Sequence, residues 1–473
     1  MDKHQALQRD ARRKMMLEEP VAKVIPILAI PMIIAMLIDS IYNITDTYFV
    51  SQLGTSATAA VGVNDSLMQL IRSVAMGFGI GASSYISRLL GAKEYEKASK
   101  VGSTALLSAL IIIAGVAAIG YAFINPLVVL LGATPTAKPY SVQYASFILL
   151  SAPFTAGTVV LSQLLRSEGS TQYSMIGMVS GCVINISLDP LFINVLGLGI
   201  AGAAIATGIS KMISFSILLV PFLRNKTLIE LKFKLFTPKK YIYAEIVKMG
   251  IPTFLRSSML ALSTIVLNNY AGGFGDTALA AVSVANKCTR LIGAAIIGLG
   301  MGFQPLAGYC WGAKRYDRVR KVFWTCSGMG VAGAVVLGTV MALGAPKLIQ
   351  IFASTDNTEL VTLGAYIIIA QCITMPLHVW SMIANGLFQA LGRPWGAGVL
   401  GLSRQLICLV PSVIVLSQLF GVYGLASAQA VSDVLTMCIA VPMVLLLMKK
   451  IKVLENNNNP AQNGLQPNSS FNR

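Results

Sequence analysis

Two carboxylates and two neutral oxygen donors stand out from an otherwise apolar chain. Asn185 and Asp189 lie four residues apart in the run Cys182-Val-Ile-Asn-Ile-Ser-Leu-Asp-Pro-Leu-Phe192, so a helix through it carries both on one face. A carboxylate inside a hydrocarbon slab costs at least about 2.5 kcal/mol, and an acid kept there is a functional-site candidate by default. A paired Asp near a helix end is the plain alternative. Asp46 and Thr207 sit in two other apolar runs, and by the helix rise Asp46, Asp189 and Thr207 fall roughly 8–12 Å below the same interface. They can share one plane. Such a set offers hard oxygen ligands to a small cation such as Na+, or a carboxyl pair whose mutual repulsion makes it exchange one proton. Asp39, seven residues before Asp46, lies on the same helix face about 10 Å deeper. It could relay a proton or a cation; its simpler role is to pair with Asn43 or Tyr42.

Helices that cross a membrane must position these residues, and the composition supplies them. A chain of 473 residues that is 55% apolar and 12% charged, with a mean hydropathy of +0.71, is too oily for a soluble protein of that length. Twelve apolar segments fall near 24–50, 57–87, 101–123, 140–165, 174–195, 199–222, 246–272, 278–308, 322–345, 362–388, 396–418 and 422–448. Each is close to the ~20 residues a bilayer requires. The expected fold is therefore an all-α membrane protein of twelve transmembrane helices. Residues 1–23 read as a basic cytoplasmic leader with no cleavable signal peptide, and 449–473 as a disordered cytoplasmic tail.

The formal charge of +17 forms no basic face, so nucleic acid is not an expected partner. The cations instead alternate between loops. Arg88, Lys93, Lys97 and Lys100, then Arg166, then the segment from Arg224 to Lys240, then Lys314 to Lys321, then Arg393 fall in every second gap. The other gaps carry only Lys138 and Lys347. By the positive-inside rule both termini are cytoplasmic, which requires an even number of spans. Seven cysteines form no Cys-x-x-Cys pair, and His4 and His378 are the only histidines, which leaves no zinc site, no disulfide framework and no histidine-based catalysis. An intramembrane aspartyl hydrolase could use Asp46 and Asp189 as a dyad, but Thr-Asp-Thr and Leu-Asp-Pro lack the Gly-x-Gly-Asp pattern of such enzymes. No enzyme activity is expected.

An internal repeat is visible. Gly91-Ala-Lys-Glu-Tyr-Glu-Lys-Ala-Ser-Lys100 recurs as Gly312-Ala-Lys-Arg-Tyr-Asp-Arg-Val-Arg-Lys321, and the same offset pairs Pro31 with Pro252, Gly54 with Gly275, and Gly77, Gly79 and Gly81 with Gly298, Gly300 and Gly302. Residues 24–222 thus form an N-lobe and 246–448 a C-lobe, joined by a cytoplasmic linker at 223–245. Six spans per copy make the copies parallel, a recurring build for transporters with a cavity between the lobes. Gly77-x-Gly79-x-Gly81 lies inside a span and reads as helix packing rather than phosphate binding.

Pro31, followed by Ile44-Thr-Asp-Thr-Tyr-Phe-Val-Ser-Gln-Leu-Gly54 and Ala59-Ala-Val-Gly62, resembles the first helix of the multidrug and toxic compound extrusion (MATE) family. Ser84-Tyr-Ile-Ser-Arg-Leu-Leu-Gly-Ala-Lys93, Ser151-Ala-Pro-Phe154 and Asn185-Ile-Ser-Leu-Asp-Pro190 are similar to its bacterial members. The resemblance spans both lobes. It implies a monomeric multidrug exporter in a bacterial plasma membrane, expelling organic cations and other drugs or metabolites in exchange for H+ or Na+, with no cofactor. The family's N-lobe cation site falls on Asp46, Asn185, Asp189 and Thr207, and Pro31 matches the proline at which its first helix is proposed to bend. One branch carries C-lobe acids where this chain has Leu260 and His378, so coupling is expected to run through the N-lobe. Asp39 stands where many relatives carry Gln.

Arg256, Lys287, Arg290 and Arg404 fall within C-lobe spans. They either give the cavity a cationic half or, for Arg256 and Lys287, snorkel to an interface; Asp433 could pair with one of them. The cationic alternative keeps a second function in view, a lipid-linked oligosaccharide flippase of the same superfamily.

Overall fold

The structure, a computed structural model, describes residues 3–350 and 358–458. It is built of helices: α1 (Lys3–Leu17), α2 (Val21–Ser51), α3 (Thr55–Gly91), α4 (Tyr95–Ala122), the short α5 (Ile124–Leu130), α6 (Lys138–Ser167), α7 (Thr171–Pro190), α8 (Gly199–Leu223), α9 (Lys240–Gly273), α10 (Asp276–Gly312), α11 (Tyr316–Gln350), α12 (Thr358–Ala390), α13 (Pro394–Leu402) and α14 (Val410–Asn458). Wide π-helical turns extend α7 over Leu191–Val195 and join α13 to α14 over Ser403–Leu409.

Ten helical stretches among the described residues are long and apolar enough to cross a membrane. The stretch from Pro394 to Asn458 is broken at Phe420 and Gly421, where the backbone leaves the helical region, and so makes two spans. α3 has the length of a span but is diluted by Asn64, Asp65, Gln69 and Arg72. With that break and α3 included, the twelve expected spans all appear as helices. The repeat is written in the backbone too: Gly54 and Gly275, the residues before α3 and α10, have φ of 101° and 103°.

Three boundaries differ from expectation. The leader is not a free polar arm: α1 is helical to Leu17, with Met16 and Leu17 buried, and the first span starts at Val21. The linker is shorter, 224–239, and is packed down, with Leu228 and Ile229 buried and the backbone N–H groups of Glu230 and Thr237 donating to Ser99 and Thr104 of α4. The last helix runs ten residues past 448, to Asn458, so this part of the expected disordered tail is helical; residues 459–473 lie outside the described residues.

The lobes meet crosswise, α3 of the N-lobe on α9 of the C-lobe, and α10 of the C-lobe on α2 of the N-lobe. Glycine makes the approach close enough. A Cβ on Gly81 would stand 2.2 Å from the Ile246 carbonyl oxygen, and one on Gly302 would stand 2.6 Å from the Cα of Ala29. Both contacts lie toward the end of the bundle that carries α1 and the basic loops.

Candidate functional site

Asp46 projects from the half of α2 remote from that basic end, Asp189 from the last turn of α7, and Thr207 from the third turn of α8. α2 packs on α7 and α7 on α8, so three separate stretches of chain converge. The carboxyls of Asp46 and Asp189 lie in hydrogen-bonding contact. Asp189 has no solvent exposure, and Asn185 and Thr207 have 2% each. With the Asn185 amide nitrogen turned toward the acid, Nδ2 donates to Asp189 Oδ2 at 2.9 Å, and Oδ1 accepts from the Thr207 backbone N–H at 3.2 Å. This orientation matches each donor to an acceptor.

Oδ1 of Asp46 and Oδ1 of Asp189 are buried without a hydrogen-bond donor among the described residues. Two ionised carboxylates cannot remain in contact in a low-dielectric site without something positive between them. A shared proton resolves the repulsion. So does a small cation taking the two free oxygens, with the Thr207 hydroxyl and, once its amide turns to present Oδ1, Asn185 as neutral ligands, and that hard oxygen set fits Na+ as well as H+.

Asp39 stands apart from this pair. Its neighbour is Asn43, whose Nδ2 donates to the Asp39 carbonyl at 2.5 Å and lies 3.4 Å from Oδ2. Pro31 is buried within an unbroken α2. Sequence reasoning overlooked three charges around the pair. Lys211, one turn beyond Thr207, sits with its Nζ 5.6 Å from the Tyr42 ring centroid and within electrostatic reach of Asp39 and Asp46. Asp65 and Arg72 of α3 are also close enough for Asp46 to feel their charge. The signal was a cost already invoked for Asp189: ionisable groups inside apolar spans.

The C-lobe has an acid, but not at the two positions flagged by the resemblance. Leu260 is half-exposed. His378 Nδ1 lies 3.9 Å from Asp433 Oδ1, and Arg404 Nε donates to the same carboxylate at 2.6 Å. Asp433 is only 4% exposed, so this is a buried ion pair, in which each partner neutralises a charge that would be costly alone. Of the four basic residues flagged in the sequence, Arg404 is therefore compensated, Lys287 and Arg290 are exposed, and Arg256 keeps a buried Nε without an acceptor among the described residues.

The MatE family model matches residues 31–191 and 252–410, one segment in each lobe. Multidrug export protein MepA of Staphylococcus aureus (strain NCTC 8325) is 28% identical over 437 residues, covering 92% of this chain and 96% of its own. MepA of Staphylococcus saprophyticus is 29% identical over 429 residues, covering 90% of this chain and 94% of its own. Among solved structures, a MATE protein in complex with MaL6 superposes with a TM-score of 0.89 at 24% identity, covering 93% of this chain and 99% of the other. An outward-facing multidrug resistance MATE transporter of the MOP superfamily superposes with a TM-score of 0.88 at 24% identity, covering 92% and 98%.

Proposed function

The chain belongs to the MATE family, and from that premise we propose that it is a secondary active antiporter, exporting organic cations and amphipathic drugs or metabolites in exchange for H+ or Na+. The contact between Asp46 and Asp189, with an orphaned oxygen on each, carries this reading. A pair of acids that needs one positive charge between them is a place where an ion must come and go. The basic end faces the cytoplasm by the positive-inside rule, with both termini there. The lobes touch toward that end, so in the proposed cycle the opposite end is the one through which substrate leaves.

The steps follow from the residues. With both acids deprotonated, the N-lobe pocket carries negative charge and holds a cationic or amphipathic substrate. A proton or Na+ entering from outside takes the free oxygens of Asp46 and Asp189, steadied by Asn185 and Thr207. The negative charge that favoured the substrate is halved, α2 bends near Pro31, and the substrate leaves outward. Ion and substrate oppose each other's binding by an equal factor in each direction. The protein acts as a monomer in the bacterial plasma membrane.

The buried Arg256 Nε, without an acceptor among the described residues, favours a second reading, a flippase for an anionic lipid-linked saccharide. Ethidium efflux from cells of a pump-deficient host separates the two. Efflux that stops when the proton or the sodium gradient is collapsed supports the antiporter and identifies its ion; efflux absent under every gradient sinks it.

A further inference from the structure

We propose that the groove between the first turns of α9, the end of α12 and the last turns of α14, beside α13, binds an anionic phospholipid, with its phosphate held by Lys248, Arg393 and Lys450 and an acyl chain lying along α14. The groove has a volume of about 460 Å³ and lies on the basic end of the C-lobe. Its three cations come from three separate pieces of chain: α9, the turn after α12, and the far end of α14. Glu245 is 3.3 Å from Lys248 but also serves Arg88 at 2.9 Å. Neither Arg393 nor Lys450 has an acidic partner among the described residues, and the nearby acid on α14, Glu455, is held by Arg320 at 2.6 Å. Converging cations repel one another unless an anion sits among them.

The rest of the groove suits a lipid better than a free phosphate. Met443, Leu446 and Lys450 lie three or four residues apart, so one face of α14 passes from apolar to cationic along its length, as a lipid does from chain to headgroup. Leu446 is 61% exposed and Trp395 is 87% exposed. An indole at a membrane–water boundary belongs beside headgroups, and basic pockets between helix ends at the cytoplasmic boundary take anionic ones. Gly396 holds this wall in place, since a Cβ there would stand 2.1 Å from the Phe388 ring. The site needs only that the chain spans a membrane, whatever it transports.

The test titrates brominated phosphatidylglycerol into the full chain in phosphatidylcholine nanodiscs and reads tryptophan quenching, with Trp395→Phe defining the share due to Trp395. Quenching of that share should favour brominated phosphatidylglycerol over brominated phosphatidylcholine by at least about tenfold. It should weaken about fivefold for Lys450→Gln and about a hundredfold for the triple variant with Lys248→Gln and Arg393→Gln. Lys450→Gln, at an exposed position, gives a reading even if the triple variant misfolds. The control Lys97→Gln/Lys100→Gln/Lys321→Gln should titrate like the wild type. Equal quenching by the two lipids, an unchanged Lys450→Gln titration, equal loss in the control, or full competition by inorganic phosphate would each overturn the site.

Discussion

Asp46 and Asp189 were legible before any coordinates because the physical penalty for an acid in hydrocarbon does not depend on the fold. Asn185 and Thr207 followed from helix spacing and depth. What stayed illegible was which charges face the pair: Lys211, Asp65 and Arg72 sit on other helices, and only packing decides that they point toward Asp46 rather than into a headgroup layer. The Arg404–Asp433 pair was half legible, since a buried acid and several buried bases imply a match without naming it. At this scale the decisive variant is Asp189→Asn. It keeps the shape of the side chain and the partner of Asn185 but removes one of the two charges that create the need for an ion. Drug-driven proton or sodium exchange in proteoliposomes should fall to the background of empty vesicles, while membrane insertion and thermal stability stay near wild type. Exchange that persists would move coupling away from this pair.

α2 is the element through which an event at Asp46 can reach the rest of the molecule. Pro31 lacks a backbone N–H, so the Ile27 carbonyl one turn earlier has no helical donor, and α2 has a joint there even while it remains unbroken. The joint lies against the other lobe: Ala29 and Ile33, flanking Pro31, are the residues that Gly302 and Gly298 of α10 approach most closely. Bending α2 at this point therefore works directly on the contact between lobes. Pro31→Ala restores roughly one hydrogen bond, worth about 1 kcal/mol, which must be broken each time the helix bends. Turnover should drop about fivefold, with substrate affinity unchanged and thermal stability slightly raised; an unchanged turnover would remove Pro31 from the cycle. The positions of the spans were readable from hydropathy and the repeat, and the helical continuation to Asn458 was not. The span was expected to end at 448, but a helix does not stop where an apolar run does, and this one goes on to pair Glu455 with Arg320.

Across the whole molecule, α1 has a consequence that its composition concealed, because its few apolar residues find their burial only in the assembled bundle. Arg12 donates to the Glu168 carboxylate and carbonyl at 3.1 Å and to the Ser170 hydroxyl, all in the N-lobe. Four residues on, the Met16 carbonyl accepts from Arg318 Nε at 2.8 Å, and the Glu19 carbonyl accepts from Arg318 Nη2 at 2.5 Å, both from the C-lobe. Glu168 is fully buried and also takes the backbone N–H of Leu228 at 2.6 Å, so the strap and the inter-lobe linker share one anchor. In the proposed exchange cycle the lobes part at this end, which must break the tie through Arg318. Glu19 leads straight into α2 at Val21, so the covalent chain already holds this end of the strap in the N-lobe; Arg318→Gln should therefore enlarge the population open at the basic end, Arg12→Ala should enlarge it less, and the double variant should do no more than Arg318→Gln. At about 1–2 kcal/mol for the tie, the open-to-closed ratio rises about fivefold to thirtyfold. Spin labels introduced by Lys97→Cys in α4 and Lys321→Cys in α11 report this as a longer-distance population. Additive shifts would mean that the two arginines act independently, and a lowered melting temperature with unchanged distances would make α1 a brace for folding rather than a latch between lobes.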